Sequence, residues 1–354
     1  MHFISEILEN WYSKNKRDLP WRDKASPYHI WLSEIILQQT RVNQGLDYYR
    51  RFTGKYPTVV DLANAPLDEV LKLWQGLGYY GRARNLHATA REVVDKYQGN
   101  FPNNYEELLK LKGIGSYTAA AIASIAFKEP VALVDGNVYR VLSRLFGMQT
   151  PIDSPAGKKL FASKAAELLN PLKPDIHNQA IMEFGALVCL PKKPDCVNCM
   201  LANVCRANIE GLTGQLPVKE GRKTSRIRYL NYLHIHYKEY TFLNRRDGND
   251  IWNSLYEFPL IETEQQSDAD KLVTSQPWKS YFGNLQVHPH PHSRTYKHQL
   301  THQTLYCTFH RITLDQLPDT PHFNFKQVLC EDLSTYAVPR IIDKYLTDIL
   351  SMGD

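Results

Sequence analysis

The sequence predicts two unlike parts. A mostly α-helical N-terminal domain spans residues 1–212 and includes a cysteine-rich, metal-binding loop at 189–205; an α+β domain spans 229–354; a linker at 213–228 joins them. Three observations carry this reading. Apolar residues recur at helical spacing through most of the first 188 positions. Four of the six cysteines crowd into the seventeen residues from Cys189 to Cys205. Beyond Gly211 the apolar period changes to strand-like alternation.

A chain of 354 residues with 43% hydrophobic and 22% charged side chains has the composition of a globular protein of two domains, which excludes collagen-like, coiled-coil and disordered architectures. Met1 to Asn10 carries acids inside its apolar pattern and lacks a basic leader, and no apolar run reaches membrane length, so a cytoplasmic protein without a membrane partner is expected. The net charge of +5 permits an anionic partner without demanding one.

Phe3, Ile4, Ile7, Leu8 and Trp11 open the chain with an amphipathic helix, which Leu19-Pro20-Trp21-Arg22 breaks. The segment after Pro27 is apolar almost all round, with Ile30, Trp31, Leu32, Ile35, Ile36 and Leu37, which implies a buried helix. Glu34 lies inside it. Either that carboxylate faces out through a gap in the apolar face, or it is buried with a partner or a raised pKa. Gln38-Gln39-Thr40 ends the helix. After helices at 48–52, 59–62 and 67–74 comes Gly76-Leu77-Gly78-Tyr79-Tyr80-Gly81-Arg82-Ala83-Arg84. This stretch is either a loop that meets a phosphate backbone with an aromatic able to wedge, or a core tyrosine pair beside solvated arginines.

Leu111-Lys112-Gly113-Ile114-Gly115-Ser116-Tyr117-Thr118, followed by the small-residue run Ala119 to Ala126, predicts a hairpin between two helices. Gly113 and Gly115 would supply positive φ or close approach to a ligand, and the amides opening the second helix suit one phosphate, although a plain helix connection has the same pattern. Asp135, eighteen residues after Tyr117, stands where the next helix begins. That helix, 138–146, carries Arg140 and Arg144, and further helices are expected over 161–169 and 178–188.

Cys189, Cys196, Cys199 and Cys205 form a C-x6-C-x2-C-x5-C loop. Disulfides are disfavoured in the expected compartment, zinc sites usually pair two close C-x-x-C units, and here there is a single one, so the spacing suits a 4Fe-4S cluster. Cys307 and Cys330 read as ordinary small apolar residues. The linker is rich in Gly, Thr, Gln and basic residues, including Arg222 and Lys223. Past it, Ile227 and Tyr229, then Leu233, Ile235 and Tyr237, and later Leu305, Cys307 and Phe309 alternate as strands; Ile341, Ile342, Tyr345, Leu346, Ile349 and Leu350 share one side of a last helix. His288-Pro289-His290-Pro291-His292 reads as a solvated loop.

Taken together, the Glu34 helix, Gly76 to Tyr80, the glycine hairpin, Val134-Asp135-Gly136-Asn137-Val138 and the four-cysteine loop resemble the endonuclease III superfamily of DNA glycosylases, and within it the MutY family of adenine DNA glycosylases. The resemblance implies a helix-hairpin-helix glycosylase domain with a 4Fe-4S cluster loop and a Nudix-like C-terminal domain, since Trp252-Asn253-Ser254-Leu255-Tyr256-Glu257-Phe258-Pro259 is similar to that family's Trp-x-x-Leu-x-x-Phe-Pro signature. No pyrophosphatase box of clustered glutamates accompanies it, so binding rather than hydrolysis is expected there.

The resemblance implies removal of adenine opposite 8-oxoguanine or guanine in double-stranded DNA by a monomeric base-excision enzyme. Glu34, Asp135, Tyr117 and Asn137 would form the catalytic set, with Glu34 the acid for the leaving base and Asp135 an ionised partner for the oxocarbenium-like sugar. Arg22 and Gln179 would line the adenine pocket, Gln39 and Tyr79 would wedge the duplex, and Gly113 and Gly115 would hold a phosphate. Thr301 and His302 would read 8-oxoguanine, in a place where the family commonly has Phe-Ser-His or Phe-Thr-His and this chain has Leu300-Thr301-His302. Bifunctional relatives carry lysine at the position of Tyr117; a phenol forms no Schiff base, so the reaction should stop at an abasic site. Two other readings fit parts of the pattern: another monofunctional mismatch glycosylase of the superfamily, or a non-catalytic iron-sulfur DNA-binding protein.

Overall fold

A computed structural model describes residues 2–23, 25–221 and 226–351. Arg222 and Lys223 of the expected linker lie outside the described residues. The chain divides into two compact units, one of Met1–Asn64 with Asn85–Gly221 and one of Ala65–Arg84 with Arg222–Asp354. No helix among the described residues is long and apolar enough to cross a membrane.

The first unit is helical. Its core is built where the sequence is apolar on more than one face: Trp31, Leu32 and Ile36 of the Pro27–Leu37 helix and Ala119 to Ala123 of the Ser116–Phe127 helix are buried. Alanines keep the second of these helices thin, so it packs closely against both the Pro27–Leu37 and the Pro174–Leu187 helices. Ser26 caps the Pro27–Leu37 helix and Asp135 caps the Gly136–Phe146 helix, each accepting backbone N–H groups that would otherwise be orphaned. Gly185 lets the Pro174–Leu187 helix come directly against the start of the Gly136–Phe146 helix, because a Cβ there would lie 2.7 Å from the Asn137 side chain and 3.0 Å from its carbonyl oxygen.

In the second unit seven strands among the described residues form one mixed sheet: β1 (Arg226–Tyr237), β2 (Tyr240–Arg245), β3 (Tyr256–Glu257), β4 (Leu260–Thr263), β5 (Arg294–Gln299), β6 (Gln303–Thr313) and β7 (Lys326–Leu329). The long central pair β1–β6 is parallel, with Leu230 opposite Cys307 and Tyr232 opposite Phe309. β5 and β6 form an antiparallel hairpin whose turn carries Leu300, Thr301 and His302. Alternation puts Leu305, Cys307 and Phe309 on the face covered by the Arg340–Leu350 helix, and Leu233 and Ile235 on the face covered by the Gln276–Phe282 helix. Leu350, expected on the buried side of the last helix, is 80% exposed because the helix ends there. Cys330 is exposed, while Cys307 is buried in the core.

Residues 65–84, which the sequence reading grouped with the helical domain, pack with this sheet unit. Lys72 Nζ donates to the Tyr336 carbonyl at 3.0 Å, Gln75 Nε2 to Asp343 Oδ1 at 2.8 Å, and Tyr256 OH to Asp68 Oδ2 at 3.1 Å. Tyr80 is buried and donates to the Val338 carbonyl at 3.3 Å.

Candidate active site

Three helices of the first unit bring together residues far apart in sequence. Tyr117, in the first turn of the Ser116–Phe127 helix, donates its hydroxyl to Glu34 Oε2 at 2.5 Å and lies 3.5 Å from Met182 Sδ of the Pro174–Leu187 helix. Glu34 therefore does not face out through a gap in the apolar face. Glu34 is only partly exposed, and protein surrounds it closely enough that burial lifts its pKa to about 7. The Tyr117 bond opposes that rise and the nearby Asp135 carboxylate adds to it. Burial and the two carboxylates hold the Tyr117 phenol well above its ordinary value, so it remains a donor.

Asp135 caps the Gly136–Phe146 helix with Oδ1, which accepts from the amides of Asn137 at 2.9 Å and Val138 at 2.7 Å, while Oδ2 accepts from Asn137 Nδ2 at 2.7 Å. Asn137 is itself fixed by Arg140 Nη2, which donates to its Oδ1 at 2.8 Å. The resemblance implied an ionised Asp135; the hydrogen bonds from Val138 and Asn137 and the Arg140 charge favour that form, but burial outweighs them and the net direction of its pKa is upward.

Arg22 and Gln179 reach the same region through a network that no local sequence pattern marks. Arg22 Nη2 donates to the buried carboxylate of Glu183 at 2.8 Å, Arg17 adds a two-pronged bond to it at 2.8 and 2.7 Å, and Tyr12 OH donates to Gln179 Oε1 at 3.1 Å. Burial alone would raise Glu183; the two guanidinium groups overcome it and hold the carboxyl down at about 2. Glu183, Met182 and Gln179 all lie on one helix, a fact legible in the sequence, but only the packing shows that they point at Arg22 and Tyr117.

The hairpin is present between the Tyr105–Leu108 and Ser116–Phe127 helices. Gly113 has φ +76°, and a Cβ there would press on Asn85 at 2.7 Å, so glycine is required. Gly115 departs from expectation: it is the helix N-cap with extended φ of −91°, and only its exposure and the absence of a side-chain cap keep the following amides open. Gln39 and Tyr79 are both exposed and both left-handed, with φ of 57° and 48°. Of the tyrosine pair, Tyr80 is core and Tyr79 is 56% exposed. Neither arginine of that stretch is simply solvated: Arg82 Nη2 donates to the Leu77 and Gly78 carbonyls at 3.3 Å, and Arg84 Nη1 donates to the Asn253 carbonyl at 2.6 Å. Within the second unit, the Tyr79 hydroxyl lies 3.0 Å from Thr301 Oγ1, and His302 is exposed beside it in the β5–β6 turn.

Cys189, Cys196, Cys199 and Cys205 line one cavity, together with Arg144 and mostly apolar neighbours such as Val141, Leu145 and Leu201, and none is in a disulfide. Among the described residues no three Cys, His, Asp or Glu side chains are grouped to hold a single metal ion. The loop is fastened to the helix that Asp135 caps. Arg140 Nε donates to the Cys189 carbonyl at 2.6 Å and Nη2 to the Gly185 carbonyl at 2.6 Å; Arg144 Nη1 donates to the Leu190 carbonyl at 2.7 Å and approaches Cys189 Sγ at 3.4 Å.

Residues 32–170 match the family of HhH-GPD superfamily base excision DNA repair proteins, and residues 231–348 match the NUDIX domain family. The fold and site thus define a helix-hairpin-helix base-excision repair enzyme that also carries a Nudix domain. The chain is 35% identical over 352 residues to an adenine DNA glycosylase of Buchnera aphidicola subsp. Baizongia pistaciae, covering 97% of this chain and 96% of that one. It is 44% identical over 209 residues to the adenine DNA glycosylase of Homo sapiens, of whose length it spans 38%. The chain belongs to the adenine DNA glycosylase family. Among solved structures, a thermostable thymine-DNA glycosylase matches with TM-score 0.55 and 31% identity, over 59% of this chain and 96% of that one; an endonuclease III in a non-covalent DNA complex matches with TM-score 0.52 and 25% identity, over 59% and 95%.

Proposed function

We propose that this enzyme flips adenine mispaired with 8-oxoguanine or guanine out of duplex DNA and hydrolyses its N-glycosidic bond, leaving an abasic site on an intact strand. The observation that carries the proposal is Glu34: a carboxyl with pKa near 7, held at 2.5 Å by a phenol that stays protonated, beside a second carboxylate. Such a group is an acid and a base in equal measure at neutral pH. Glu34 gives its proton to adenine N7, which makes the base a better leaving group; the C1′–N9 bond breaks with its electron pair going to adenine. Asp135, fixed by the amides of Asn137 and Val138, faces the positive charge that develops on the sugar. Water then adds to C1′ and gives its proton back to Glu34. Tyr117 orients the acid; having no amine, it forms no Schiff base, and this supports a monofunctional reaction.

Arg22 and Gln179 hold the extruded adenine in this reading, which the bonds that orient them, to Glu183 and from Tyr12, support. The uncapped start of the Ser116–Phe127 helix after Gly113 and Gly115 suits a backbone phosphate. Gln39 and Tyr79, projecting from left-handed turns, act as wedges, and Thr301 with His302 reads the opposite base. The cysteine cavity fits a 4Fe-4S cluster: its donors are four undisulfided thiols from one loop, backed by Arg144, which complements a negatively charged thiolate cluster. Cys189, Cys196, Cys199 and Cys205 would hold it, and when bound it cross-links a loop that has little regular structure of its own. The test is single-turnover excision on duplexes with A opposite 8-oxoguanine, A opposite G and T opposite G. Adenine release in the first two without thymine release in the third is expected; release of thymine alone would assign a different mismatch.

A further inference from the structure

Glu183 is 2% exposed and takes up no proton in the reaction. Yet among the described residues its carboxylate accepts five bonds from two arginines: from the Arg17 amide at 2.9 Å, from Arg17 Nε and Nη2 at 2.8 and 2.7 Å, and from Arg22 Nη1 and Nη2 at 3.1 and 2.8 Å. Both oxygens serve both guanidinium groups, so neither arginine turns away without breaking a two-pronged bond. Arg22 is held on other sides as well. Its Nη1 donates to the Arg17 carbonyl at 2.7 Å, and its guanidinium lies 5.4 Å from the centre of the Tyr12 ring. Arg17, Arg22 and Tyr12 are thus the charged and titratable groups that face Glu183, and Asp175 of the same helix acts on Tyr12.

This cluster stands beside the acid. Met182, the residue before Glu183, lies 3.5 Å from the Tyr117 hydroxyl, which holds Glu34 Oε2 at 2.5 Å. Burial and Asp135 favour the protonated form of Glu34, while the Tyr117 bond and the charge of Arg22 favour the ionised one. A half-desolvated guanidinium deprived of its carboxylate turns to the next one within reach, and the charge of Arg22 already reaches Glu34. An ion pair between them would leave Glu34 without a proton to give at neutral pH. We propose that Glu183 is a positioning residue for base removal: by binding Arg22 together with Arg17 it keeps the Arg22 guanidinium off Glu34, so that the acid stays available to the leaving base. The inference rests on the role given to Glu34 above.

Glu183→Gln in the full-length protein keeps the shape of the side chain and removes its charge. The alkaline limb of the single-turnover excision profile, read on A opposite 8-oxoguanine, should move down by about one to three pH units, the effect of a cation brought close to a carboxylate. Glu183→Asp keeps the charge and should return the limb to its wild-type position even where the rate falls. A purely structural role would lower the rate alike at every pH and leave the limb in place. A second measurement needs no excision: thermal unfolding at pH 8 of Glu34→Gln, Glu183→Gln and the double variant. Glu34→Gln should raise the melting temperature in the wild-type background but not in the Glu183→Gln background, where it breaks an ion pair. If Glu183→Gln does not fold, Arg17→Met alters the half-exposed partner and leaves Glu183 to Arg22 alone, so the limb should stay at or above its wild-type position; a downward move there overturns the proposal. So does an unmoved limb in Glu183→Gln, or an equal melting gain in the two backgrounds. Near-wild-type excision by Glu34→Gln would instead overturn the reading of Glu34 as the acid.

Discussion

Replacing Glu34 by Gln should stabilise the helical unit at alkaline pH while removing base excision. Burial, opposed by the Tyr117 hydrogen bond and reinforced by Asp135, lifts the Glu34 pKa from 4.5 to about 7. A carboxyl with a raised pKa holds its proton more tightly in the folded state. Its contribution is therefore fully present below pH 4.5, is lost as pH rises towards 7, and stays lost above it. The difference between 7 and 4.5 corresponds to about 3 kcal/mol, and the accessible part of the side chain reduces this to about 2 kcal/mol. Glutamine never ionises and still accepts from Tyr117, so it escapes that cost. Thermal unfolding followed by helical ellipticity should show Glu34→Gln melting about 4–8 °C above wild type at pH 8, and level with it at about pH 4. Single-turnover excision by the same variant should fall by about two to four orders of magnitude, with duplex affinity retained to within about tenfold. Equal melting at pH 8, or the same gain at both pH values, would refute the buried ionisation on which the reasoning rests.

Tyr117→Phe removes the bond that holds Glu34 down, so the alkaline limb of the excision pH profile should move upward by about one unit; an unmoved limb would show that Tyr117 does not act on the acid. Thr301→Val with His302→Ala in the full chain should reduce the preference for A opposite 8-oxoguanine over A opposite G by about tenfold to a hundredfold, read from the two single-turnover rates. Purified anaerobically, the protein should be brown with about four iron atoms per chain, and Arg144→Met, which unfastens Cys189 and Leu190, should lose iron faster on exposure to a chelator; stoichiometric zinc in colourless protein would exclude the cluster.

Where the periodicity of the sequence was strong, it located elements well: the Pro27–Leu37 and Gly136–Phe146 helices and the alternating faces of β1 and β6 were all legible. What periodicity cannot show is the direction of a polar side chain inside an apolar helix. Glu34 could have pointed outward, and its fate was decided by Tyr117, 83 positions away. Glu183 was overlooked for the same reason, since nothing local marks a carboxylate that takes both Arg17 and Arg22. For Arg140 and Arg144 the sequence placed only the helix that carries them; their guanidinium groups satisfy carbonyls of the cysteine loop, which has too little regular structure to pair its own backbone. The stretch 65–84 followed helical domain sequence on both sides, but its hydrogen bonds run to Tyr336, Val338 and Asp343, contacts with a sequence separation that no local pattern encodes.

The central claim is hydrolytic adenine removal without strand cleavage. It is tested most directly by incubating the full-length protein with a duplex labelled on the strand whose adenine faces 8-oxoguanine, then separating the products before and after hot alkali. Free adenine should appear with the labelled strand at full length, and the strand should break at that position only after alkali. A break before alkali, or a strand that survives alkali because no base has left, would contradict the account.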